Sequence, residues 1–120
     1  MAFNANLGEW LRFEIDREKL EKEISWKDFG TGVKLGKIHR KDGSSLVVYD
    51  CDEVVSENAF VAHTHKGGEV YLVLEGEVVD SSGSFSEGSI VWLPPGSKHL
   101  PKTVGKTLIL VLWPNGVQTI

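Results

Sequence analysis

Residues 63–76 read His63-Thr64-His65-Lys66-Gly67-Gly68-Glu69-Val70-Tyr71-Leu72-Val73-Leu74-Glu75-Gly76. Side chains on a strand alternate between two faces, so histidines at positions 63 and 65 of one strand address the same side and can share one ion. The Lys66-Gly67-Gly68 step lets the chain turn. Glu69 then opens an apolar run, from which its carboxylate can come back to the two imidazoles. Tyr71 and Val73 share the parity of Glu69, which predicts that all three face inward; Tyr71 then either offers its hydroxyl to a bound molecule or, the commoner case, fills the core with its tip wet.

Working outward, the chain is a series of short apolar runs cut by 13 glycines and four prolines. Val33, Leu35 and Ile38 mark one strand. Lys41-Asp42-Gly43-Ser44 reads as a hairpin turn, and residues 45–49 return. Further strands are expected over 60–65, 70–79 and 89–93, with turns at Asp80-Ser81-Ser82-Gly83 and Pro94-Pro95-Gly96, and a last one over 107–113. Strands at this spacing without intervening helices predict an all-β, antiparallel barrel or jelly roll. One stretch differs. Residues 16–24 are rich in helix formers, with Asp16 placed to cap and Glu18 four residues before Lys22, so a short peripheral helix or an arm is expected there. The expected organisation is a short N-terminal arm or helix over 1–29 packed on one barrel over 30–120.

The chain has 120 residues, enough for one domain and one core. Thirteen Lys and Arg against 17 Asp and Glu give a net charge of -4, which disfavours phosphate backbones and anionic lipid; no nucleic-acid or membrane partner is expected. The first ten residues lack a basic region followed by an apolar one, no run approaches the roughly 20 apolar residues of a membrane helix, and the single Cys51 cannot form an internal disulfide. A cytoplasmic chain is the resulting expectation, with Cys51 an inert packed thiol. His39 has no partner pattern and reads as a solvated strand residue. Phe85 and Trp92 are candidates equally for a pocket wall and for plain core. The glycines around 30–36 miss the spacing of a phosphate-binding loop.

A third histidine, His99, follows the rigid Pro94-Pro95-Gly96 corner, which can aim it at the first pair from another strand. Three neutral imidazoles and a carboxylate suit one divalent ion, Fe2+ or Zn2+ first, with Mn2+, Ni2+, Co2+ and Cu2+ also compatible, and leave positions open to water or substrate. The stretch 63–76 fits the first cupin motif, HxHxxxExxxxxxG, at every fixed position, and 88–99 fits the core of the second, GxxxxxPxGxxH. By these motifs the chain resembles a small single-domain cupin, of the branch that includes acetylacetone-cleaving dioxygenases and the cupin domain of zinc-dependent anti-sigma factors. The resemblance implies a double-stranded β-helix, or jelly-roll barrel. It implies His63, His65, Glu69 and His99 as metal ligands, although in the acetylacetone-cleaving members the three histidines bind and the carboxylate does not. Cupins often carry Asn four residues beyond the last histidine, where this chain has Thr103.

The function this resemblance implies is a mononuclear, dioxygenase-like metalloenzyme acting on a small dicarbonyl or otherwise enolisable molecule, with Glu69 and Tyr71 as candidate catalytic residues. The alternative is a metal-dependent sensor or regulatory module read by a protein partner; a chain of this length has no room for a separate helical domain that grips a sigma factor, which favours the enzyme. A third reading gives the ion only a structural role. Small cupins often pair through sheet edges, so a homodimer is expected.

Overall fold

The computed structural model describes residues 17–28, 31–41, 44–55, 63–64, 67–114 and 118–119. A helix comes first, α1 (Arg17–Glu23), followed by strands β1 (Ser25–Asp28), β2 (Val33–Lys41), β3 (Ser44–Cys51), β4 (His63–Thr64), β5 (Glu69–Asp80), β6 (Gly83–Ser86), β7 (Ile90–Leu93), β8 (Lys98–His99), β9 (Lys102–Trp113) and β10 (Gln118–Thr119). Every pairing is antiparallel. A seven-stranded sheet runs β1-β2-β3-β9-β5-β6, with β7 also on β5, and a three-stranded sheet runs β10-β4-β8.

The strands form where apolar residues alternate or run together, and the turns form where the side chains offer local hydrogen bonds. Asp80 faces Gly83 across the β5–β6 hairpin, and its Oδ1 accepts from the Ser82 N–H at 2.8 Å and the Ser82 hydroxyl at 2.6 Å. After Pro94-Pro95-Gly96, Ser97 turns the chain by donating its N–H (3.1 Å) and its hydroxyl (2.6 Å) to the Pro94 carbonyl. Lys41 stands opposite Ser44, as a hairpin there requires; Asp42 and Gly43 lie outside the described residues, as does the expected Asp16 cap.

β5 is the organising strand. One edge pairs with β9 along most of its length; the other is shared by β7, over residues 69–72, and β6, over residues 77–80. The β5–β9 register shifts between Val73 and Glu75 and again between Glu75 and Glu77. Such bulges bend a strand and increase its twist. Gly76 lies in this bend at φ +81°, where a Cβ would run into the Lys106 carbonyl and the Thr107 hydroxyl. Thr107, fully buried, donates to the Gly105 carbonyl at 3.0 Å and accepts from the Glu77 N–H at 3.4 Å, satisfying groups that the broken ladder would otherwise strand.

Two apolar clusters lie on either side of the large sheet. The interior one gathers Val33, Val47, Tyr49, Cys51, Tyr71, Val73, Val78, Ile109, Val111 and Trp113, with Phe85 and Val91 packed against it. The outer one joins Ile38, Val48 and Leu108 to Leu20 of α1, with Ile24 and Trp26 at its margin. β3 is thus buried on both faces, Val47, Tyr49 and Cys51 inward and Val48 outward. The Trp26 indole donates to the Leu20 carbonyl at 3.1 Å, satisfying one of the acceptors that a helix C-terminus leaves over. Trp92 is 53% exposed and belongs to neither cluster. Among the described residues no helix is long and apolar enough to cross a membrane.

Two substitutions test the bend. Gly76→Ala forces a side chain into a left-handed backbone against two oxygens and should cost at least about 1–3 kcal/mol. Thr107→Val keeps the shape but strands the Glu77 N–H, for a loss of about 1–3 kcal/mol. Urea denaturation measures both; an unchanged midpoint for Thr107→Val would show that its hydroxyl does not hold the bulge.

Candidate metal centre

The short strands β4 and β8 bring two distant parts of the chain into register: His63 stands opposite His99, and Thr64 opposite Lys98. Directly opposed residues of an antiparallel pair have Cα atoms about 4.5–5.5 Å apart. On its other edge β4 takes β10, with Thr119 opposite His63. His65 and Lys66 lie outside the described residues. Among those that are described, no group of three or more His, Cys, Asp and Glu side chains gathers, and the candidate set counts His65 among its members.

The return from β4 to β5 uses the glycine pair. Gly68 sits at φ +84°, where a Cβ would come within 2.5 Å of the Trp92 ring and 2.8 Å of the Leu93 carbonyl oxygen. No residue with a side chain fits there without shifting backbone, so glycine is what lets β5 start hard against β7 with Glu69 opposite Leu93.

Glu69 is 4% exposed, which for a carboxylate is costly unless polar groups compensate. The Trp113 indole N–H donates to its Oε1 at 3.1 Å. The Trp113 ring is itself held edge-on by Tyr49, with centroids 6.2 Å apart and planes at 70°. Tyr49 has its pKa pushed well up, first by burial and then by the Glu69 carboxylate and Cys51. Tyr71 and Val73 follow Glu69 on the same interior face, 3% and 0% exposed. The Tyr71 pKa is likewise raised, first by burial and then by the carboxylates of Asp80 and Glu69. Asp80 acts through its charge and its nearness.

Cys51 is fully buried, and its thiol is pushed up from 9.0 to about 12, first by burial and then by Asp50, against a lowering from the Thr103 side chain beside it and with a last, smaller rise from Asp52. Thr103 thus faces the interior thiol from the position where cupins often place Asn. Sequence reading singled out neither Trp113 nor Asp80. Trp113 lies within a uniformly apolar run, and Asp80 reads as a turn former.

Glu69 is thus a buried carboxylate held by an indole at the head of β5, while His63 and His99 stand opposed across β4 and β8. Residues 20–116 match the ChrR cupin-like domain family, and the chain belongs to that family. Nothing matches among curated protein sequences. Among solved structures the chain is similar to the Acinetobacter johnsonii acetylacetone dioxygenase (TM-score 0.71, 12% identity, covering 100% of this chain and 84% of that one). It is also similar to an RmlC-like cupin from Shewanella frigidimarina (TM-score 0.68, 18% identity, 79% and 86%). A third similar structure is the complex of Rhodobacter sphaeroides SigE with the anti-sigma ChrR (TM-score 0.65, 21% identity, covering 77% of this chain), where this chain spans 50% of the length of the one it matches. These likenesses establish the cupin-like, all-β fold.

Removing the indole donor with Trp113→Phe should destabilise the protein by about 1–3 kcal/mol, and a double-mutant cycle with Glu69→Gln should recover a coupling of similar size. Additive effects would show that the contact does not hold the carboxylate. The thiol gives a pH test. Because the folded state keeps the Cys51 proton to about pH 12 while the unfolded chain releases it near 9.0, stability is fully present below pH 9 and declines as pH rises from there toward 12. Thermal melts across that range should show the decline, less steeply in Cys51→Ala. At pH 8 the native thiol should resist alkylation until denaturant is added.

Proposed function

We propose that the chain is a mononuclear metalloenzyme that binds one divalent ion, Fe2+ or Zn2+ first, through His63, His65 and His99, and acts on a small dicarbonyl or otherwise enolisable molecule in a dioxygenase-like reaction. Glu69 serves as a fourth ligand or as the carboxylate beside the three imidazoles. The reading rests above all on the direct opposition of His63 and His99 across β4 and β8, taken with the buried Glu69 carboxylate that an indole holds. The acetylacetone dioxygenase likeness supports the substrate class.

When bound, the ion supplies Lewis acidity to paired carbonyl oxygens and, if iron, redox chemistry toward dioxygen. The protein supplies the rest. Trp113 fixes the Glu69 carboxylate in orientation, which suits it to receive a proton from the carbon between two carbonyls. Val73, Ile109 and Val111 exclude water, which strengthens every charge interaction nearby. Tyr71 stays protonated and acts as a hydrogen-bond donor to the substrate.

Elemental analysis of the purified chain should find one metal per chain. His63→Ala and His99→Ala should each lose affinity by more than the roughly 10–100-fold that loss of an outer-shell partner costs. Iron-loaded protein should consume oxygen with at least one of a panel of β-diketones; no uptake with full iron loading overturns the dioxygenase reading.

A regulatory module is the second reading, favoured by the family itself and by the likeness to the SigE–ChrR complex. Co-purification of a stoichiometric protein partner, with no turnover, would put it first. If the ion only staples the barrel, a chelator should lower the melting temperature steeply, whereas a catalytic ion should leave the fold standing. Pairing with a second copy belongs to the same proposal: β7, bonded only to β5 among the described residues, exposes Ile90 and Trp92 at 72% and 53%. Light scattering at the monomer mass of 13.3 kDa would refute it.

A further inference from the structure

Tyr49 and Trp113 meet in a way that their places in the sheet do not favour. In the β3–β9 ladder Tyr49 is opposite Ile109, and Trp113 is opposite Ser45, four residues further along. Four residues of strand amount to about 13 Å. Yet the two ring centroids lie 6.2 Å apart, with their planes at 70°. Both side chains therefore lean along the strands toward each other. Room for this comes from the pair between them, Val47 opposite Val111, two buried residues too short to fill the space above them. All four belong to the interior cluster. The Glu69 charge also reaches the Tyr49 phenol, so the carboxylate lies near both rings.

An indole has a single donor, and the direction of that donor follows the plane of the ring. The bond from Trp113 Nε1 to Glu69 Oε1, at 3.1 Å, fixes one point of the ring and leaves its tilt open. An edge-on neighbour removes that freedom, because aromatic pairs hold preferred angles at centroid separations of roughly 4.5–7 Å. We infer that Tyr49 is a positioning residue for Glu69, setting the tilt of the Trp113 ring and through it the orientation of the carboxylate. A relay of three side chains, from β3 to β9 to β5, holds that carboxylate. The contact is made by the Tyr49 ring, so it survives loss of the hydroxyl. The inference deepens the proposed activity and rests on it for the proton that Glu69 receives.

NMR of the metal-free full chain, labelled with nitrogen-15, tests the relay. The chain has four tryptophans, and Trp113→Phe identifies the indole signal of Trp113 by removing it. In Tyr49→Met that signal should move upfield, as a weakened hydrogen bond requires. Its N–H should exchange with solvent about two- to tenfold faster, the range that one aromatic pair supplies. Methionine fills an irregular space without offering a ring. Tyr49→Phe should restore both values. An indole signal unchanged in Tyr49→Met overturns the inference, and so does a Tyr49→Phe that behaves like Tyr49→Met. A further measurement needs no variant to fold: in the unmodified chain Trp113 should hold a single rotamer with ring-to-ring Overhauser contacts to Tyr49, and rotamer averaging there also overturns the inference. With iron loaded and a β-diketone that the chain oxidises, Tyr49→Met should lower kcat by the same factor at unchanged KM, and Tyr49→Phe should recover it. A shifted indole signal with kcat unchanged overturns the role at Glu69. No turnover by the unmodified chain overturns the dioxygenase reading instead, and the relay stands or falls on the indole signal.

Discussion

The ladder between β5 and β9 is the constraint on which the rest of the molecule depends. Its register is interrupted twice, between Val73 and Glu75 and between Glu75 and Glu77, so β5 bends while remaining paired on both edges. The bend makes an enclosed interior from what would otherwise be a long twisted ribbon. It also fixes the candidate centre from two directions. Val70 pairs with Leu112, which delivers Trp113 to the head of β5, and the indole of that residue meets Glu69 there. Thr107, at the bend, replaces with its hydroxyl the partners that the shifted register withholds.

Much of this was legible in the chain. The parity of Glu69, Tyr71 and Val73 identified a face that is buried in the structure, because a strand with one side in the core needs alternation and the side chains supply it. The turns at 80–83 and 94–97 were legible because Asp, Ser, Pro and Gly carry their turn chemistry locally. β6, the first half of β9 and β1 were not. Their residues, such as Lys102, Lys106 and Ser84, are polar and exposed, and these segments are strands because a neighbouring edge is available to them. Trp92 shows the same limit from the other side: an aromatic residue is not sent to the core by its composition when its parity faces out. Within the centre, the motif residues could be named from spacing. The Trp113–Glu69 contact could not, since it depends on which two strands are neighbours.

The family and the fold leave the chemistry to the site. Among structures similar to this chain are an acetylacetone dioxygenase and a complex of SigE with the anti-sigma ChrR, and both likenesses are of fold. The interior of this chain holds a carboxylate on an indole, two phenols whose protons are held by burial and nearby carboxylates, and a fully buried thiol. Such an interior is polar at a few points and apolar elsewhere.

The place of β9 in the sheet has a consequence for how the molecule is made. It lies between β3 and β5, yet it follows both in the chain, so during synthesis each of these strands waits with one edge open until β9 emerges. Until then Val47, Val48 and Val73, all nearly or wholly covered in the finished protein, have lost their main neighbour. Pairings of such long range also make for slow folding. The nascent chain therefore passes through an interval in which sticky strand edges lie uncovered, and the last long strand closes it by sliding into a slot already framed on both sides.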